Sequence, residues 1–282
     1  MRRSLLALAL LSASCTTQTR EGMARAETAI AKALISDEQE DAIGRQIHAE
    51  LEKGTAETPP IRYSTDPVVT TYINNLTAKL TPYADKDRKT AWHMHVIDDP
   101  KVVNAFATPG GHLYVYTGLL LAADTEAEVI GVMSHEMGHV VGRHSARQMV
   151  NALGLNAIAS LALGENPTTL AKLAAAVVGQ GTMLAHSRSD ENEADQYAVK
   201  YAAAAGYDPG GIASFFEKLK GKQGHVPQAL TWLSTHPAPA DRITKVNQAI
   251  ARQGLAGRGE IGAGRLEPIK ARINATRPVS SR

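Results

Sequence analysis

Thr125-Glu126-Ala127-Glu128-Val129-Ile130-Gly131-Val132-Met133-Ser134-His135-Glu136-Met137-Gly138-His139-Val140-Val141 reads as one helix carrying two histidines four residues apart. Thr125-x-x-Glu128, directly after Asp124, is a capping box, so the helix begins just ahead of the histidines. Val129, Ile130, Val132, Met133, Val140 and Val141 supply an apolar surface suited to burial. Residues i and i+4 stack on one helix face, so His135 and His139 can reach one metal ion. Glu136 follows the first histidine and projects beside that ion, where it can take a proton from a bound water. Burying such a polar triad inside an apolar helix is costly unless the triad is ligated. Two imidazoles and one further ligand leave the fourth tetrahedral position open, and water there ionises near pH ~7 instead of ~15.7. The HExxH spacing therefore points to one zinc ion per chain and to hydrolysis.

The third ligand must come from elsewhere. The HExxHxxGxxH pattern would need histidine at position 145, which is Ser145; Gly142 and His144 come close, but His144 is one residue out of register. The other arrangement draws a glutamate from a second helix, with an aspartate one turn later holding a ligand histidine. Ser187-Arg188-Ser189-Asp190-Glu191-Asn192-Glu193-Ala194-Asp195 carries that signal. Glu191 and Asp195 share a helix face, whereas Glu193 points about 200° away. Glu191 is the expected ligand and Asp195 the acceptor for a ligand histidine's free N–H. A solvated acidic helix start is the plainer reading of the same residues.

Four segments together resemble the gluzincin peptidases of the LoiP, BepA, HtpX and CAAX-prenyl-endopeptidase type. They are Asn104-Ala105-Phe106-Ala107-Thr108-Pro109-Gly110-Gly111, the run from His135 to His144, the Ser187–Asp195 stretch, and Thr235-His236-Pro237 followed by Asp241-Arg242-Ile243. They occur in the family's order across residues 36–252. The resemblance implies an α+β, mainly helical fold with a small antiparallel sheet beside the HExxH helix. It implies His135, His139 and Glu191 as metal ligands and Glu136 as general base, in a zinc metalloendopeptidase. It places His236 near the zinc, either in the open metal position at rest or as a donor to the developing oxyanion. Arg188 and Arg242 are further candidates for oxyanion or scaffold pairing. In gluzincins an edge strand pairs with the substrate backbone, and the alternating His112-Leu113-Tyr114-Val115-Tyr116 fits that place, with Leu113, Tyr114 and Val115 at its centre; an ordinary core strand is the alternative.

The implied substrates are unfolded or misassembled envelope proteins, misfolded outer-membrane proteins among them. A chaperone or assembly factor whose zinc site is shut by His236 is a second reading, and a metal-stabilised structural lipoprotein a third. A structural site has no use for Glu136. Some family members append a repeat domain, for which 282 residues leave no room, so a LoiP-like layout is expected.

Residues 1–14 have the form of an export signal: Arg2 and Arg3, then an apolar Leu5–Leu11, then small residues before Cys15. Cys15 is the only cysteine, which excludes an internal disulfide and suggests a lipoprotein processing site. Ser12 stands where such sites usually carry leucine, so ordinary cleavage to a soluble periplasmic protein is the alternative. With Thr16 after the cysteine, lipidation implies the periplasmic face of the outer membrane, with residues 15–35 as a tether. Net charge is +2 and aromatics are 5% of the chain, with no basic stripe that would argue for nucleic acid.

Along the rest, Ser36-x-x-Gln39 caps a helix to about Leu51, and Asp66-Pro67 starts another to about Leu80. Strand-like runs follow at 91–97, 103–107 and 112–117. His93 and His95 share a strand face, but no carboxylate stands in register to make them a metal pair. The apolar stretches 152–163 and 169–184 are too short and interrupted to span a membrane, and suit either a mobile flap or packed core. Tyr207-Asp208-Pro209 opens the helix with Phe215 and Phe216. Residues 253–282 show little periodicity and are expected to be a tail.

Overall fold

The computed structural model describes residues 35–54, 59–178, 186–221, 232, 236 and 239–276. The export signal, Cys15 and the tether up to residue 34 lie outside the described residues. Two helices come first: α1 (Asp37–Lys53), with the Ser36/Gln39 capping box formed, and α2 (Pro67–Asp87), with Asp66 accepting from the Val68 and Val69 amides. The sheet follows as β1 (His93–Ile97), β2 (Ala105–Thr108) and β3 (His112–Tyr116). Then come α3 (Thr117–Ala122), α4 (Glu126–Val141), α5 (His144–Leu153), α6 (Leu155–Ala162), α7 (Pro167–Val178), α8 (Arg188–Ala204), α9 (Gly211–Gly221), α10 (Pro239–Arg252) and α11 (Glu267–Ala275).

The mainly helical α+β expectation holds, and the sheet corrects it in one respect. Its order is β1-β3-β2, with β1 parallel and β2 antiparallel to β3, so it is mixed. Leu113, Tyr114 and Val115 therefore lie on the central strand, and the edge-strand role expected of them fails. Both flanks of their backbone are already hydrogen-bonded within the sheet, leaving no ladder for another chain. All five residues of β3 are buried, so its alternation of side chains separates two buried faces. One face, with Met94, Val96, Leu113 and Val115, joins the main core of α2, α4, α8, α9 and α10; the other, with Ile97, Phe106, Tyr114 and Tyr116, packs under α1.

Every residue of α4 is buried, and apart from Glu126 and Glu128 in its first turn, Ser134 and the motif its sequence is apolar on all sides. Thr125 Oγ1 accepts from the Glu128 amide, while the Glu128 carboxylate reaches past the cap to the Asp124 amide. Helix α8 lies directly across α4. Gly138 permits this: a Cβ there would stand 2.9 Å from Tyr197 Cβ and 3.1 Å from Ala194 Cα. The closeness of the two backbones sets Glu191, one turn before Ala194, over the two histidines.

Arg143, just beyond α4, is the one non-glycine residue at positive φ (56°) among the described residues. Its buried guanidinium donates to Glu40 Oε1 at 2.7 Å and to the Ile35 carbonyl at 2.5 Å. Arg88 also pairs with Glu40 and donates to the Val140 carbonyl, so one buried carboxylate is held between two cations at the end of α4.

Of the two readings of the apolar stretches, core is the one seen. Ile158, Leu161, Leu170, Leu173 and Ala174 are buried in the cluster beneath α1, as far as that region is described. No helix among the described residues is long and apolar enough to cross a membrane. The tail expected at 253–282 is a correction too. Leu266, Ile269 and Ile273 are buried in the main core, and Arg272 pairs with Asp66, the cap of α2. Three well-spaced apolar residues suffice to dock a short helix that shows little periodicity in sequence.

Candidate metal centre

His135 and His139 sit one turn apart on α4, Glu191 on the first turn of α8, and His236 in the segment before α10. Their donor atoms converge. His135 Nε2 lies 3.0 Å from His139 Nε2, 3.5 Å from Glu191 Oε2 and 3.3 Å from His236 Nδ1. Glu191 Oε1 lies 3.4 Å from His139 Nε2 and 2.9 Å from His236 Nδ1. An ion bonded at ~2.0–2.1 Å to four tetrahedral donors sets donor–donor edges of about 3.3 Å. The four side chains thus fit a divalent cation, and their chemistry (three imidazoles and one carboxylate) suits zinc. Glu191 Oε2 is buried and faces both Arg242 Nη1 at 2.5 Å and His135 Nε2 at 3.5 Å.

The surroundings hold each ligand in place. Asp195 Oδ1 lies 3.0 Å from His135 Nδ1, the nitrogen turned away from the cluster. On His139 the same part falls to His144, whose Nδ1 is 2.7 Å from His139 Nδ1 and whose Nε2 is 3.3 Å from Glu193. Glu193 therefore points away from Glu191, as the helical wheel requires, and reaches the centre only through His144. Arg242 is 3% exposed and bridges Glu191 and Asp195, donating to Asp195 at 2.7 and 2.8 Å. Arg188 does not join them. It is exposed on the first turn of α8 and takes no part in the ion pairs around the centre.

Burial works against charge at every one of these groups, and the neighbours decide the outcome. Burial opposes the imidazolium of His135, yet hydrogen bonds to Asp195 and Glu191 push its pKa up to about 9. Burial, reinforced by the nearby His186, drives His139 well below the usual histidine value. Burial alone would raise Glu191, but His236, His135 and His139 hold its carboxyl well below the usual range. Burial raises Glu136, against the pull of His236 and His135. A raised carboxyl is a stronger base once ionised, which is what proton abstraction from water requires.

Sequence reasoning missed two neighbours. Trp232 donates from Nε1 to Glu136 Oε1 at 3.3 Å and stacks on His236 with ring centroids 4.5 Å apart. His186 stacks on His139 at 3.8 Å. Nothing in sequence singled out Trp232; His186 stands immediately before the Ser187–Asp195 stretch, and that adjacency was the available signal.

The chain is similar to known proteins over this region. The chain is 31% identical over 227 residues to the beta-barrel assembly-enhancing protease of Yersinia pestis, covering 76% of this chain and 44% of that protein. It is 32% identical over 157 residues to the mitochondrial metalloendopeptidase OMA1 of Schizosaccharomyces pombe, covering 56% and 46%. It is 33% identical over 162 residues to the metalloprotease LoiP of Escherichia coli K12, covering 55% and 62%. The chain thus spans less than two thirds of each of these relatives. The model of peptidase family M48 matches residues 67–250, which takes in α2 through most of α10 and all four donors, and the chain belongs to that family.

Proposed function

We propose that this protein is a zinc-dependent endopeptidase acting on unfolded or misassembled proteins of the cell envelope. The observation that carries the reading is the convergence of His135, His139 and Glu191 with Glu136 alongside. A zinc ion held there would polarise the scissile carbonyl and acidify a water molecule. Glu136, beside that position, would accept a proton from the attacking water and pass it to the leaving amine. Trp232 fixes the Glu136 carboxylate by its indole N–H. Arg242 is a positioning residue, since both its carboxylate partners are themselves occupied in holding the centre. With β3 central, the ladder offered to a substrate backbone beside α4 is β2, whose outer side pairs with no strand among the described residues.

A second reading concerns regulation. His236 is 1% exposed and completes the donor set, so this conformation is shut to substrate. It supports a resting state in which His236 takes the fourth position, and an assembly or chaperone role exercised while the centre stays shut. The names of the relatives favour barrel assembly as the setting; removal of misfolded outer-membrane proteins rests on the resemblance. For the compartment, the Arg2–Cys15 pattern supports a lipid anchor at Cys15 on the periplasmic face of the outer membrane. Labelling with radioactive palmitate tests it, and Cys15→Ser should abolish the label.

The deciding experiment is casein digestion by the wild type and by Glu136→Gln, with metal content measured on both. Metal should be retained and turnover fall by about 10²–10⁴. Digestion by the variant at the wild-type rate removes Glu136 from the chemistry.

A further inference from the structure

Four histidines outside the HExxH centre meet between α1 and the sheet. His93 and His95 lie on the β1 face turned to α1, and His112 pairs in register with His93 from β3. His48 descends from α1. His95 Nε2 is 3.1 Å from His112 Nδ1, and the His48 ring stacks on His95 at 4.2 Å. One donor nitrogen from each of His48, His95 and His112 falls within 4.8 Å of the others. Asp41 and His93 form a second such group with His112, but Asp41 is already paired with Arg45. His95 thus meets imidazoles from two other elements, and the His93–His95 pair is not itself the donor set.

Two features separate this group from ordinary stacked rings. His112 is 4% exposed, and its Nε2 has no hydrogen-bond partner. Its Nδ1 is engaged with His95, so whichever nitrogen carries the proton, one ring position stays unmet in the interior. Tyr114 and Tyr63 hydroxyls stand 3.1 and 3.2 Å from His48 Nδ1, placed to fix that ring as outer partners fix metal-bound histidines. Burial also keeps the set uncharged: it lowers His95 to about 4 and His112 to about 3, so each offers a free lone pair at neutral pH.

We propose that His48, His95 and His112 form a second site, for a borderline divalent transition metal such as zinc, that braces α1 against the sheet. Imidazole donors select zinc, nickel or copper over calcium or magnesium. None of the three residues belongs to the HExxH donor set, so the two sites load independently.

The test is zinc titration of the metal-stripped full chain, with bound metal counted. Wild type should take two equivalents, and His48→Ala one. Glu191→Ala, which cripples the first centre, should still take one, and there zinc at a hundredfold excess over its Kd should raise Tm by about 5–10 °C. Adding His48→Ala to Glu191→Ala should abolish that rise. The His48 side chain is 22% exposed, so truncating it leaves the core closed. A wild type that takes a single equivalent lost on Glu191→Ala, or two equivalents persisting in His48→Ala, overturns the second site. If zinc is lost on His48→Ala alone, the second site stands and the HExxH centre is the one refuted.

Discussion

Gly138→Ala tests whether the contact of α4 with α8 sets the metal centre. The added methyl would lie 2.9 Å from Tyr197 Cβ, 3.1 Å from Ala194 Cα and 3.2 Å from the Ala194 carbonyl oxygen. Carbon pairs rest at about 3.5–4.0 Å, so α8 must withdraw by roughly 0.5–1 Å. Overpacking of that kind costs about 1–3 kcal/mol, while alanine for glycine in a helix returns about 1 kcal/mol. The net loss is about 0–2 kcal/mol, a Tm drop of roughly 0–8 °C at this size. The larger consequence is geometric. Metal donors tolerate displacements of only about 0.2 Å, and Glu191 rides on the segment that must move. Zinc affinity, measured by competition with a chromophoric chelator, should therefore fall at least tenfold while the metal-free protein stays folded. A variant that binds zinc within twofold of wild type would refute the claim that this contact positions Glu191.

Further outcomes follow from the same geometry. His236→Ala removes the fourth donor, and casein digestion should rise; a fall would instead assign His236 to the transition state. Asp195→Asn deprives His135 Nδ1 of its carboxylate, and zinc affinity should drop about 10–100-fold by the same competition assay. At the start of α4, burial alone would raise Glu126, yet hydrogen bonds from Tyr207, Arg265 and Tyr72 hold its pKa below the usual value. A depressed carboxyl stabilises the fold above its unfolded pKa of about 4.3 and loses that contribution as pH falls through the folded value. Tm measured from pH 6 to 3 should fall less steeply for Glu126→Gln than for wild type.

The centre was largely readable because its chemistry sits in two local spacings, His135–His139 and Glu191–Asp195, each fixed by helical geometry. The caps at Ser36, Asp66 and Thr125 were readable for the same reason, since each depends on residues within three positions. What failed was everything set by distant partners. His112–Tyr116 alternates whether one flank of its backbone is paired or both, so sequence could not separate edge from centre. Helix α11 gains its place from α2 and α3; Leu266, Ile269 and Ile273 do recur at i, i+3 and i+7, but three positions in a Gly- and Arg-containing stretch make too short a run to be read as a docked helix. The His48–His95–His112 group draws on three elements, and only folding brings the imidazoles of α1 and β3 to His95.

The Arg143 latch has a mechanical side. It hooks the Ile35 carbonyl directly beyond the end of α4, so any leash ahead of residue 35 enters the body beside the helix that bears the metal histidines. Traction transmitted to Ile35 would load its contact with Arg143 and, through Glu40, the one with Arg88. A membrane attachment upstream would then orient the catalytic helix relative to the bilayer as well as keep the protein near it.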